Sequence, residues 1–171
     1  MSSSLTDERA DLLETLGKHR FFLRNTTRDL TDEQAAQTST VSELCLGGLI
    51  KHVAQTEQRW AAFIVEGASA MPPWTDPAAY EAHANGFRML PGETLAGLLA
   101  DYAVVAAATD ALVSTLTDLD AAHALPEAPW FPPGATWSAR RVVLHLIAET
   151  SQHAGHADII REALDGAKSM G

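Results

Sequence analysis

The chain has 171 residues, a formal net charge of −10, and 46% hydrophobic but only 6% aromatic residues. A surface this negative repels phosphate backbones and anionic lipids, so nucleic-acid binding and membrane-surface binding are disfavoured. The length fits one domain, residues 1–171, and the alanine-rich composition favours packed helices over strands.

The first third of the chain predicts two long helices with a short one between them. Apolar residues recur at helical spacing from about Thr6 to Thr27. Thr31 and Gln34 form a capping-box pattern that predicts a short helix. The second long helix is predicted from Ser42, as its N-cap, to about Val65.

Two adjacent glycines, Gly47 and Gly48, lie near the start of the second long helix. Each costs about 1 kcal/mol against alanine in a helix interior. We therefore expect another element or a ligand to approach the helix closely there. Cys45, the only cysteine, excludes an intramolecular disulfide and is expected to be buried packing.

The rest of the chain predicts two further long helices separated by proline-rich connections. A long crossover over residues 67–92 contains a short helix near Ala78 to His83. The third long helix runs from about Thr94 to Leu116, and an irregular stretch follows over residues 118–135. The fourth long helix begins after Ser138, as its N-cap, and ends at Gly166. Four long helices with a long central connection predict an all-α four-helix bundle.

The sequence predicts neither an N-terminal targeting signal nor a membrane helix. The N-terminus has no basic segment followed by an apolar one. The most apolar span, Leu95 to Leu116, is interrupted by Asp101 and Asp110 and is expected to fall short of a membrane span. These features predict a soluble, cytoplasmic protein.

A candidate metal site lies on the fourth long helix. Glu149 and His153 are four residues apart, so both leave the same helix face about one turn apart. His52 on the second long helix offers a third ligand from a facing helix. Two imidazoles and a carboxylate leave open coordination positions, as in catalytic sites, and suit Zn²⁺, Ni²⁺ or Fe²⁺. The alternative is that Glu149 and His153 form only an ion pair.

Other side chains have more ordinary interpretations. The lone histidines His19, His83 and His123 are expected to be core or surface residues rather than ligands. Asp158 and Arg161 are expected to pair on the helix surface. The loop aromatics could wall a pocket over the site, but we expect them to be hydrophobic plugs that hold the long loops down; they are Trp74, Trp130, Phe131 and Trp137.

Three sequence segments resemble those of a known superfamily. Residues 46–53 read LGGLIKHV, residues 57–60 read EQRW, and residues 144–161 read LHLIAETSQHAGHADIIR. They are similar to the DinB/YfiT-like superfamily of metal-binding four-helix bundles, and the resemblance extends over nearly the whole chain. It is closest to actinobacterial-type DinB members, whose relatives include mycothiol-dependent S-transferases and mycothiol-dependent maleylpyruvate isomerase.

The resemblance implies a fold, a ligand set and a chemistry. It implies an up-down-down-up bundle with a divalent metal, preferably zinc, held by His52, Glu149 and His153. A glutamate at position 149 resembles the mycothiol branch and implies mycothiol as the co-substrate. His156 is a candidate catalytic residue, either a hydrogen-bond donor behind the ligands or a proton shuttle near the mouth. A homodimer is also implied.

The expected activity is a metal-dependent thiol S-transferase in detoxification or stress. The partners would be a small-molecule thiol and an electrophile, with no nucleic acid or membrane. Maleylpyruvate isomerase has an additional C-terminal domain, whereas this sequence ends at Gly171, so isomerase activity is not expected. The alternative is a non-enzymatic, metal- or ligand-binding bundle of the stress-response type.

Overall fold

The computed structural model describes residues 2–72, 74 and 76–169. Most of these residues lie in helices, in agreement with the predicted all-α class. The elements, in chain order, are α1 (Ser2–Asn25), α2 (Asp32–Ala36), α3 (Leu46–Glu66), a 3₁₀ turn (Gly67–Ala70), α4 (Pro77–Gly86), α5 (Leu95–Thr115), β1 (Ala122–Ala124), β2 (Thr136–Ser138) and α6 (Ala139–Asp165).

The four longest helices form the body of the fold. Helix α1 packs against α5 and α6, and α3 packs against the same two helices. One apolar cluster includes Leu16, Phe63 and Leu146, and a second includes Leu23 and Leu49. Burying each such side chain contributes about 1.5–3 kcal/mol. The up-down-down-up order of helix directions stays a prediction.

A buried ion pair joins α1 to α3 inside the bundle. Arg20 donates from Nε to Glu57 Oε2 at 3.1 Å and from Nη2 to Glu57 Oε1 at 2.5 Å. A further bond from Arg20 Nη1 reaches Asp110 on α5 at 2.7 Å. Because Glu57 is buried, loss of the guanidinium would leave an uncompensated charge in the core.

Helix α3 begins at Leu46, and the predicted N-cap Ser42 is wrong. The N-cap position belongs to Cys45, which makes no side-chain capping bond. The Ser42 hydroxyl instead accepts a hydrogen bond from the Leu44 N–H at 3.2 Å. It therefore stabilises a local turn before the helix. Cys45 is buried, as predicted.

The close approach predicted at Gly47 and Gly48 is confirmed. A Cβ atom at Gly48 would lie 2.0 Å from the Phe87 carbonyl oxygen, and one at Gly47 would lie 2.6 Å from Met89 Sδ. The chain after α4 thus lies directly on the first turn of α3. This contact brings Phe87 over His52, with ring centroids 3.8 Å apart.

The connections contain more structure than the sequence indicated. Helix α4 includes the short helix predicted at Ala78 to His83 and is capped by Asp76. The stretch predicted to be irregular contains the antiparallel pair β1 and β2, in which His123 lies opposite Trp137. The strands are three residues long, so they lack the alternating pattern that reveals a strand.

The caps predicted for α2 and α6 are confirmed. Thr31 and Gln34 form a capping box. The Ser138 hydroxyl accepts from the Arg141 N–H at 3.1 Å, and Gly166 ends α6 with φ 79°. Glycine suits that left-handed conformation because it has no Cβ.

The surface pair predicted between Asp158 and Arg161 is wrong. Arg161 is buried and donates to Asp165 at 2.9 Å and to the carbonyl of Thr26 at 2.8 Å. Asp158 accepts from the Ser169 N–H at 2.7 Å. Arg161 faces the end of α1, where carbonyl groups without helical partners need donors.

Helix α5 is long and apolar enough to span a membrane, with a mean hydropathy of 1.5. The expectation that the two aspartates exclude this by composition is therefore wrong. One or two such helices are weak support for a membrane span, since a helix of a soluble protein can meet the same criteria. Here α5 packs against α3, and its Asp110 pairs with Arg20.

Candidate metal centre and its cavity

The structure brings the three predicted ligands together. His52 projects from α3, whereas Glu149 and His153 project from successive turns of α6. One potential ligand atom from each residue lies within 4.8 Å of those of the other two. His153 Nε2 and Glu149 Oε2 are 3.5 Å apart. The assignment of these residues as metal ligands stays a prediction.

The geometry and bonding of the three side chains fit a divalent cation. Ligands about 2.0–2.2 Å from a tetrahedral ion are roughly 3.3–3.6 Å apart, so the 3.5 Å pair already has a suitable spacing. Neither ring nitrogen of His52 makes a hydrogen bond to any residue in the described ranges, and Nδ1 is buried. Coordination would offset the cost of burying an unpaired imidazole.

Burial keeps His52 in the form that binds metals. Burial, which is the largest cause, and the neighbouring His153 and His83 together lower the pKa of His52 to about 3. His52 is therefore neutral at pH 7, with a lone pair free for a cation. The hydrogen bond from His153 lowers the pKa of Glu149, although partial burial opposes that shift. Glu149 thus remains an ionised carboxylate.

His156 lies behind His153. Its Nδ1 is 3.5 Å from Nδ1 of His153, whose other ring nitrogen, Nε2, faces Glu149. This position suits the predicted role of a partner that orients a ligand through its second nitrogen. His156 is not among the residues that line the cavity, so the position does not favour the alternative role of a proton shuttle near the mouth.

The site opens into a cavity of about 630 Å³, which is within the range for small-ligand sites. Aromatic residues from α3, α4 and both connections wall it. Trp60 and Trp137 stack with ring centroids 4.6 Å apart, and His145 lies edge-on to both rings at 5.0 Å. All four loop aromatics line the cavity, and two of them, Phe131 and Trp137, also pack against the apolar core, as the interpretation as plugs expects; the four are Trp74, Trp130, Phe131 and Trp137.

His83, which was expected to be an ordinary core or surface residue, also lines the cavity. Helix α4 places its ring 5.6 Å from that of His52, and its Nδ1 is buried without a hydrogen-bond partner in the described part of the chain. Burial lowers the pKa of His83, and the positive charge of Arg59 lowers it further. No local pattern marked this residue, because its position depends on how the crossover folds back over α3.

A family model described as mycothiol S-transferase matches residues 11–166. The chain belongs to the mycothiol S-transferase family, which is of the DinB/YfiT-like type. A search of curated proteins found no significant match. Membership in this mycothiol S-transferase family implies a small-molecule thiol substrate and points to a transferase.

The position of the one cysteine is consistent with a reaction that uses an external thiol, as the mycothiol S-transferase family name implies. Cys45 is buried, and its Sγ lies 3.9 Å from the Phe87 carbonyl oxygen. It does not line the cavity. A reacting sulfur in the cavity would therefore come from a bound thiol rather than from the protein.

Proposed function

We propose that this protein is a divalent-metal-dependent S-transferase that joins mycothiol to an electrophile. His52, Glu149 and His153 would hold the cation, preferably zinc, with nickel or iron as the other candidates. The observation that carries the proposal is the convergence of these three side chains within 4.8 Å at a 630 Å³ cavity. The family match supplies the thiol.

The cavity residues have separate tasks in such a reaction. A bound divalent cation supplies Lewis acidity, which lowers the pKa of a thiol so that a thiolate is present at neutral pH. The aromatic walls exclude water and hold the electrophile. His83, neutral because burial lowers its pKa, offers a buried ring nitrogen that can accept the thiol proton. A sulfur–carbon bond forms as the electrophile releases its leaving group.

Conjugation assays on matched histidine variants test this function. Protein purified without chelator is analysed for metals and assayed with mycothiol and 1-chloro-2,4-dinitrobenzene. We expect His52→Ala to lose bound metal and at least about 100-fold in kcat/KM, since catalysis of this kind depends on the ligand set. His19→Ala is the control, because His19 lies on α1 away from the cavity and should retain wild-type activity.

The possible failures have different meanings. Full activity of His52→Ala would overturn the metal-dependent mechanism. Metal binding without turnover, with every low-molecular-weight thiol and electrophile tried, would instead support the non-enzymatic binding bundle. If the wild-type protein binds no divalent metal, the alternative holds that Glu149 and His153 form only an ion pair.

A further inference from the structure

Arg59 stands out among the cavity residues because its charge has no counterpart. Its side chain is half-buried in the cavity wall. It makes no hydrogen bond or ion pair with any residue in the described ranges. Burial alone lowers its pKa, and no carboxylate opposes that shift. A guanidinium held in this way carries a desolvation cost that an incoming anion would offset.

Two fully buried arginines, Arg20 and Arg161, have the carboxylate partner that Arg59 lacks. Arg20 and Arg161 each donate to a carboxylate, Glu57 and Asp165 respectively. Among the residues that the structure describes, the cavity lining contains a single acidic side chain, Glu149, and that carboxylate already faces His153. In a protein with net charge −10, the cavity thus presents an unpaired positive group to its occupant.

Arg59 shares a helix face with the candidate metal centre. Positions 52, 56, 59 and 60 of α3 all line the cavity. Arg59 is seven residues beyond His52, a rise of roughly 10 Å, and helical side chains lean towards the helix N-terminus. Its Cα–Cβ bond therefore leans towards the centre from two turns away, and its charge is close enough to lower the pKa of His52. It lies close enough to His83 to lower the pKa of that imidazole.

Flat rings line the cavity that Arg59 shares with the candidate centre. Trp60 and Trp137 stack at 4.6 Å, and Trp130 lies edge-on to Trp74 at 5.2 Å. Such walls favour a planar aromatic body, which can stack or make edge contacts with the indoles.

We propose that the electrophile is an aromatic carboxylate. Its carboxylate pairs with Arg59, its ring packs against the tryptophans, and its reacting carbon points towards His52, Glu149 and His153. This substrate class rests on the proposed S-transferase function. The planar fork of arginine matches a carboxylate with two parallel hydrogen bonds, which lysine cannot reproduce.

A chromogenic probe of this class is 4-chloro-3,5-dinitrobenzoate. Mycothiol sulfur forms a bond to the ring carbon that carries chlorine, the carbon–chlorine bond breaks, and chloride leaves with the bonding electrons. The thiol proton passes first to His83 and then to solvent, and no oxidant or reductant is needed because no atom changes its oxidation state through an external electron carrier. The methyl ester of the same acid has the same reacting carbon without the negative charge.

Binding is measured first, without turnover. The metal-loaded protein is titrated calorimetrically with 3,5-dinitrobenzoate and with 3,5-dinitrobenzamide, which lack the leaving group. Wild type should bind the benzoate at least about tenfold more tightly, as expected for a charge-assisted bond. Arg59→Met should abolish this preference, and Arg59→Lys should retain part of it. The control Arg24→Met removes an exposed arginine of α1 that does not line this cavity and should keep the full preference.

Turnover is measured second, with mycothiol and the chloro acid or its ester. Each rate is divided by the uncatalysed rate of the same compound, because the carboxylate and the methyl ester differ in how strongly they activate the ring towards attack by sulfur. The ratio of kcat/KM for acid over ester should fall at least about tenfold in Arg59→Met. Circular dichroism confirms that each variant is folded.

The two assays separate the two proposals. A benzoate preference that depends on Arg59, without any conjugation, would leave the carboxylate site standing and overturn the transferase. If wild type and Arg59→Met both conjugate mycothiol with the same ratio of acid to ester, the transferase function would stand and the carboxylate site at Arg59 would be overturned. A benzoate preference retained in Arg59→Met would place the carboxylate on another group, such as the cation, and overturn the role of Arg59.

Discussion

At the scale of single residues, the protonation of His52 links the candidate centre to folding. The pKa of His52 is about 3 in the folded chain, against 6.5 for an ordinary histidine. Above pH 6.5 both the folded and unfolded states are neutral at this position. Below it, the unfolded chain binds a proton that the folded chain does not, so acid destabilises the fold.

We therefore expect the free energy of unfolding of the metal-free protein to fall as the pH drops from 7 to 5. His145 and His83, whose pKa values burial also lowers, act in the same direction. His52→Gln should reduce the slope by up to about 1.4 kcal/mol per pH unit. Urea unfolding at several pH values measures how the free energy of unfolding depends on pH. The same slope in His52→Gln as in wild type would contradict the proposed role of His52.

His156 supports a second prediction at this scale. If its Nδ1 orients His153 through the 3.5 Å contact, His156→Ala should weaken zinc binding by about 10- to 100-fold. Competition with a chromogenic chelator gives the affinity, and His19→Ala is again the control. Equal affinity of wild type and His156→Ala would show that His156 does not orient the ligand.

At the scale of elements, the contact between the crossover and α3 positions the site. Phe87 and Met89 lie against a helix surface that is open only because residues 47 and 48 have no side chains. Phe87 in turn stacks on His52. Gly47 and Gly48 therefore influence the candidate centre indirectly, because they allow the segment that contains Phe87 to pack over His52.

Gly48→Ala should disturb this contact. The added methyl group would lie 2.0 Å from the Phe87 carbonyl oxygen, a backbone atom. We expect a loss of about 1–3 kcal/mol in unfolding free energy together with weaker metal binding. Gly155→Ala in α6 is the matched control, because nothing lies within 4 Å of its Cβ position. That change should be neutral or stabilise by up to about 1 kcal/mol. Equal stabilities of the two variants would argue against a close contact at Gly48.

The sequence predicted these elements where the signal was local. Thr31, Ser138 and Gly166 act within one turn of their own helix, so their capping patterns were sufficient. Ser42 has the same residue type as Ser138, but its hydroxyl is taken up by a turn. The strands β1 and β2 depend on pairing across the irregular connection of residues 125–135, which no local pattern records.

The candidate site was predictable to the same degree. Glu149 and His153 follow from helical periodicity, and His52 was chosen for its long helix and by resemblance. His83 lies on a short helix whose packing over α3 decides its role, so its residue type alone carried no information. The loop aromatics were recognised, but whether they cover a core or a cavity depends on the space beneath them.

At the scale of the whole molecule, an exposed apolar face lies along α3 and α5. Val65 is 62% exposed and Val104 is 70% exposed. They border a groove between these helices that is lined by the small side chains of Ala61, Ala62 and Ala108. Contiguous apolar surface can mark an interaction site, and the family resemblance implies a homodimer. We propose that two copies of the chain associate through this face.

This proposal predicts a dimer in sedimentation velocity experiments. Val104→Lys places a charge in the groove and should yield monomers. Val41→Lys, at a fully exposed position before α3, introduces the same charge and should leave the dimer intact. A wild-type protein that is monomeric at all concentrations, or a dimeric Val104→Lys variant, would exclude this interface.

The aromatic wall has an optical consequence. The chain contains four tryptophans, at positions 60, 74, 130 and 137, and all four line the same cavity. Its tryptophan fluorescence therefore originates around a single cavity, with no indole elsewhere to add background. Binding or release of a ligand in that cavity should change the tryptophan emission of the whole protein, so the unlabelled protein reports its own ligand occupancy.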